Sequence, residues 1–130
     1  MPINPETLRN DPCLRKNDGK YELHAAGLVW KDTKGRKANQ PEAAYFPTSF
    51  MADVAGIEMY VFSWTIVWRE ELTYMITDRR RNLNLYAENQ QAKGCETFGE
   101  AAAMAVDAAR SILEGYHKRI GEVLPMLLGL

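Results

Sequence analysis

The sequence predicts an α+β fold: an antiparallel sheet of about four strands with one long carboxy-terminal helix packed across it. Three observations carry this expectation. Residues Ile57 to Trp68 are dominated by β-branched and aromatic side chains with no Gly or Pro among them, which is strand composition. Apolar residues recur at helical spacing from Phe98 to Ile120, opposite a charged side that holds Glu100, Asp107, Arg110, Glu114 and Lys118. Turn-forming residues cut the rest into short lengths. With 130 residues, 46% of them hydrophobic and 25% charged, the chain has room for one domain with its own core and none for a second.

Residues 1–20 read as an amino-terminal arm, because Pro2, Pro5, Pro12 and the turn Asn17-Asp18-Gly19 disfavour a long regular element. Residues 21–130 then form the single α+β domain. Tyr21 to Lys31 reads as a strand with an irregularity at Gly27, followed by a turn at Asp32-Thr33-Lys34-Gly35. Residues 38–48 form a loop fenced by Pro41 and Pro47, after which Ser49 caps a short helical turn through Phe50, Met51 and Val54, ended by Gly56. The strand Ile57 to Trp68 comes next. Arg69-Glu70-Glu71 is a polar tip that returns the chain into Leu72 to Thr77, and Asp78 to Asn82 turns it into Leu83 to Ala87, completing a three-strand meander. The polar stretch Glu88 to Lys93 ends the sheet. Thr97 and Glu100 have capping-box spacing, which fixes the start of the long helix. The closing segment Val123 to Leu130 is almost wholly apolar and interrupted by Pro125, so it has to pack on this domain or on another copy.

Alternation divides the strand Ile57 to Trp68 into two faces. One carries Ile57, Met59, Val61, Ser63, Thr65 and Val67; the other carries Glu58, Tyr60, Phe62, Trp64, Ile66 and Trp68. Both are apolar, and a single helix covers one side of a sheet. The second face therefore calls for the arm, the loop from Ala38 to Ala55, a bound ligand or a second subunit. If the aromatic row lies under the helix, its large side chains meet the small alanines there. If it does not, Tyr60, Phe62, Trp64 and Trp68, with Met126, Leu127 and Leu128 of the tail, form a ligand or dimer surface.

Charge and motifs exclude more than they select. Sixteen basic against seventeen acidic residues leave a net charge of -1, which supplies no general field for nucleic acid. A domain that grips duplex RNA through the start of its last helix needs cations there, whereas Glu96 and Glu100 flank this one. Arg79, Arg80 and Arg81 form the densest basic cluster and are the candidate contact for an anion, nucleic acid or acidic partner. Cys13, Cys95, His24 and His117 show no zinc-binding spacing, and no metal or other cofactor is expected. No G-x-S-x-G, Walker loop, G-x-G-x-x-G or H-E-x-x-H is present. Two cysteines without a CxxC, an amino terminus without an apolar signal core, and no apolar run near ~20 residues point to a soluble cytoplasmic protein that does not enter a membrane.

The expected function is that of a non-catalytic binding or interaction module, a homodimer in which an apolar sheet face forms the dimer contact or a cavity for a small apolar ligand. A small enzyme with a pocket near Cys95 and His24 is the first alternative, since the positive end of the helix dipole favours the thiolate of a cysteine just before a helix start. Contact with nucleic acid or an acidic partner through Arg79 to Arg81 is the second.

Overall fold

The computed structural model describes residues 4–41, 45–66, 69–79 and 86–129, with side chains apart from those of 64–66, 69–71 and 86–89. Its elements are α1 (Pro5–Arg9), β1 (Leu14–Asn17), β2 (Lys20–Ala25), β3 (Leu28–Asp32), β4 (Ser49–Val54), β5 (Ile57–Ile66), β6 (Arg69–Asp78), β7 (Tyr86–Gln91) and α2 (Phe98–Leu127). The strands lie in chain order in one antiparallel sheet, and α2 packs across β2, β5 and β6. The α+β class and the long carboxy-terminal helix are as the sequence predicts; the sheet has seven strands where about four were expected.

The extra strands come from three two-residue hairpins. Asp18-Gly19, Ala26-Gly27 and Ala55-Gly56 each hold both central residues at positive φ, between 52° and 92°. That is what a type I′ turn needs, because its twist matches that of the flanking strands. The first hairpin makes part of the arm into β1, paired from Leu14 with Leu23 to Asn17 with Lys20. The second splits the expected Tyr21 to Lys31 strand into β2 and β3, so Gly27 is a turn and not a bulge. The third gives β4 its partner. Ser49 therefore begins a strand and does not cap a helical turn: Phe50 and Ala52 alternate inward, fully and nearly fully buried, with Met51 and Asp53 outward.

β5 and β6 pair residue for residue from Ile57 with Asp78 to Ile66 with Arg69, so the expected polar tip Arg69-Glu70-Glu71 belongs to the ladder. Residues 67 and 68, including Trp68, lie outside the described residues. β7 runs to Gln91 with a register shift opposite Tyr74 to Ile76, past the expected end at Ala87. The expected start of that strand at Leu83, and Arg80 and Arg81, lie outside the described residues.

The start of α2 is as predicted. The Thr97 hydroxyl oxygen accepts from the Glu100 backbone N–H at 3.2 Å. The Glu100 carboxylate reaches back to accept from the Thr97 hydroxyl at 3.0 Å and from the Glu96 N–H, one residue earlier than the expected partner. Its end is not as predicted: Pro125 sits inside the last turn, and the helix continues to Leu127 before Gly129 turns left-handed.

Phe98, Ala101, Ala102, Ala105 and Ala109 bury their side chains under α2 against Leu23, Trp30, Phe50, Met59, Val61 and Ile76. The alanines let the helix axis approach a sheet whose own inward side chains are large. Trp30 satisfies its indole N–H by donating to the Ala25 carbonyl at 3.0 Å, so the largest fully buried ring leaves no orphan donor. Met59 and Val61 belong to the aliphatic face of β5, and that is the face the helix covers. Large rings do not meet small alanines in the way one reading of the sequence had it.

The other expected covers also pack on the helix side. Leu8 of α1 joins the buried core, and Phe46 of the loop packs edge-on to Tyr21 at 5.7 Å. Tyr45 stacks edge-on to the same ring and donates its hydroxyl to Asp32; burial first, and then that carboxylate, push the phenol well above its usual range. Neither the arm nor this part of the loop closes the aromatic face.

Candidate functional site

The described residues present two apolar surfaces, one on each side of the sheet. On the outer face, Met51, Tyr60 and Met75 stand in one cross-strand row, flanked by Phe62, and all four are half-buried. Tyr60 donates to Glu58 at 3.4 Å, and its phenol is pushed up by burial first and by that carboxylate second. Tyr60 and Phe62 thus lie where the ligand-or-dimer reading needs them, away from α2. Trp64 is in β5, but its side chain, like the whole of Trp68, is outside the described residues.

The second surface was not foreseen. No residue of α2 beyond Ala109 is buried, because the helix there runs out over the hairpin end of the sheet and then past it. The gap between the helix and that sheet end is a groove of about 840 Å³. Its walls are Leu28, Val54, Ile57 and Met59 from the sheet and Val106 and Leu113 from the helix; Asp78, Arg110, Glu114 and His117 stand around it. An apolar hollow of this size with a few ionisable groups at its margin has the make-up of a small-molecule site. Its sequence signal existed in the Ala26-Gly27 and Ala55-Gly56 pairs, whose turns bring Leu28 and Ile57 to one end of the sheet, but such pairs are weak hairpin signals beside Asn-Gly.

Met126, Leu127 and Leu128 lie beyond the groove on the projecting end of α2 and are exposed. They share no surface with Tyr60 and Phe62, since the helix is on the opposite side of the sheet. The expected single patch is two.

Among the other predicted groups, Cys95 packs against the core on the helix side, whereas His24 points out from the far face of β2 toward Glu22 at 3.5 Å. The sheet separates them, so they do not form a thiol-imidazole pair. Burial, and then the Glu100 carboxylate, push the Cys95 thiol up, overriding the lowering expected from the helix dipole. Burial does the same for Cys13, aided by Asp11. Both thiols are free. Alkylation by iodoacetamide should therefore be slow at pH 7 to 8, with a rate still climbing above pH 9. A Cys95 rate that levelled off below pH 8 would contradict these surroundings.

Arg79 is paired with Asp53 at 3.1 Å and donates its backbone N–H to Gly56, so this arginine braces one hairpin against the next. On the other side of the molecule a polar hollow between the β1–β2 turn and residues 31–36 is ringed by Lys20, Lys31, Lys34 and Arg36. Asp18, Glu22 and Asp32 line it as well, and Asp32 already accepts from the Lys34 and Gly35 N–H groups and from Tyr45. Among the described residues no three His, Cys, Asp or Glu side chains meet as a metal site, and no helix is long and apolar enough to cross a membrane. Comparison of the chain with protein-family models, curated proteins and solved structures finds no match to any of them.

Proposed function

We propose that the protein is a non-catalytic binding module that takes a small apolar molecule and works as a homodimer. The observation that carries the ligand reading is the groove of about 840 Å³ between α2 and the hairpin end of the sheet, walled mainly by apolar side chains. Arg110 and His117 at its margin suit a ligand with one anionic end, while Glu114 and Asp78 limit how much negative charge is accepted. The dimer reading draws on the exposed helix end and on the outer row Met51, Tyr60 and Met75.

Anilinonaphthalene sulfonate is a suitable probe because it joins an apolar ring system to one anionic group. It should bind with enhanced, blue-shifted fluorescence. Val54→Asp places a carboxylate in the sheet wall at a position 44% exposed, so folding is preserved. It should weaken probe binding at least about tenfold, the effect of ~1.4 kcal/mol. Unchanged binding in that variant, with an unchanged melting curve, would remove the groove as the ligand site. Substituting Tyr60 by lysine on the far face should leave probe binding intact.

A further inference from the structure

The apolar seam of α2 does not stop where the sheet stops. It continues as Leu113, Tyr116, Ile120, Leu124 and Leu127, spaced three, four, four and three residues apart. That spacing reads the same in both directions about Ile120. All five positions fall within about 40° of one line along the helix at 100° per residue. Lys118 and Glu122 lie on the opposite side.

A stripe symmetric about its own midpoint is self-complementary to a copy of itself turned end for end, as an isologous two-fold contact requires. We infer that two copies pair through this stripe as an antiparallel helix pair centred on Ile120. Ile120 then meets Ile120 of the second copy, Tyr116 meets its Leu124, and Leu113 meets its Leu127. Spacings of three and four are those that let side chains of facing helices interlock at 8–10 Å between axes.

Ile120, Leu124, Leu127 and the flanking Leu128 are 56%, 50%, 78% and 63% exposed. With Tyr116 they present on the order of 600 Å² of mainly apolar surface, about three quarters of the ~800 Å² that each partner gives to a standard interface. The helix length fits as well. Leu113 is the last apolar residue that α2 gives to the groove wall, and α2 ends at Leu127, the position that falls opposite Leu113 of the second copy. Each projecting segment thus ends level with the other copy's groove.

This has a consequence for the ligand site and, in that part, rests on the groove being one. Leu113 is part of the groove wall, so Leu127 of the second copy comes to its open end. The groove is complete only in the pair.

Single cysteines test the pairing without any ligand. Ile120→Cys should cross-link to its own copy under a mild oxidant, because the two-fold axis passes through it. Leu127→Cys should not, since in an antiparallel pair the two positions are about 21 Å apart at 1.5 Å rise per residue. Lys118→Cys, on the far side of the helix, should not either. By light scattering the native chain should be a dimer at tens of micromolar and Ile120→Asp a monomer, its dissociation constant raised at least about a hundredfold by two facing carboxylates. Circular dichroism of that variant should be native, because the site is exposed in the single chain. Probe fluorescence should weaken in Ile120→Asp as well as in Val54→Asp. Cross-linking as expected with no effect of Val54→Asp would sink the ligand reading and leave the pairing standing. The pairing itself is overturned by a monomeric native chain, by Leu127→Cys cross-linking as readily as Ile120→Cys, or by a dimer that survives Ile120→Asp and is lost in Tyr60→Lys.

Discussion

Phe50→Ala should cost about 3–5 kcal/mol of folding stability, the range for removing a fully buried aromatic ring from a close-packed core. Phe50 is fully buried in β4, and its ring meets that of Phe98 edge to face, centroids 5.1 Å apart at 72°. Phe98 is the first residue of α2, so this pair joins the middle of the sheet to the helix start. Such ring pairs contribute about 0.5–1.5 kcal/mol beyond the area they bury. Small domains have only about 5–15 kcal/mol in total, so the variant should show a denaturation midpoint shifted far down and partial unfolding at moderate temperature. Val29→Ala on the outer face, at a site 49% exposed, should change stability by less than about 0.5 kcal/mol in the same urea titration. A Phe50→Ala loss no larger than that control would mean that β4 does not seat its ring under α2.

Phe50 also shows where the sequence could and could not be read. Its segment, SFMADV, alternates apolar and less apolar residues over only six positions between a proline loop and an Ala-Gly pair. At that length a serine followed by apolar residues reads equally well as a capped helical turn, and the deciding fact is the partner strand β5, which lies across the hairpin. The turn itself was hidden. Type I′ hairpins are recognised by Asn-Gly or Asp-Gly, and here alanine takes the first left-handed position twice, at φ 54° and 53°. Where the turn had the recognisable residues, at Asp18-Gly19, it was legible, but Arg15, Lys16 and Asn17 gave its first strand no apolar face to read. By contrast β5 and the start of α2 needed no distant partner: ten residues of strand composition and a Thr97–Glu100 cap are local signals. The candidate site follows the same division. Which side of the sheet α2 takes depends on Met59 and Val61 fitting the alanines better than Tyr60 and Phe62 do, and local pattern does not contain that comparison. The groove depends on how far α2 overshoots the sheet, which follows from strand lengths set by those same hidden turns.

The second large effect concerns the arm, where the usual sign of a substitution is expected to reverse. Glycine in a helix interior is normally about 1 kcal/mol worse than alanine, so Gly99→Ala in the first turn of α2 should on propensity alone stabilise the protein. At this position a Cβ would lie 2.7 Å from the Cys13 Sγ, 3.1 Å from its Cβ and 3.3 Å from Asp11 Oδ1. Gly99 is the point where residues 11–13 close on the helix. The buried Asp11 carboxylate accepts from the Gly99 N–H at 3.0 Å through one oxygen and from the Cys13 N–H at 2.9 Å through the other. It therefore occupies one of the free donors of the helix start, where negative charge is favoured by the dipole. Asp11→Ala leaves two inward N–H groups without acceptors and should cost about 2–4 kcal/mol, each orphan donor contributing about 1–3 kcal/mol. Gly99→Ala should destabilise by about 1–3 kcal/mol, because moving Cys13 aside loosens the same contact and outweighs the propensity gain. The two losses act on one junction, so the double variant should lose clearly less than their sum in urea titration. If Gly99→Ala instead raised stability, the amino-terminal segment would not be seated on the helix, and the burial of Leu8 and Asp11 would have to be reassigned.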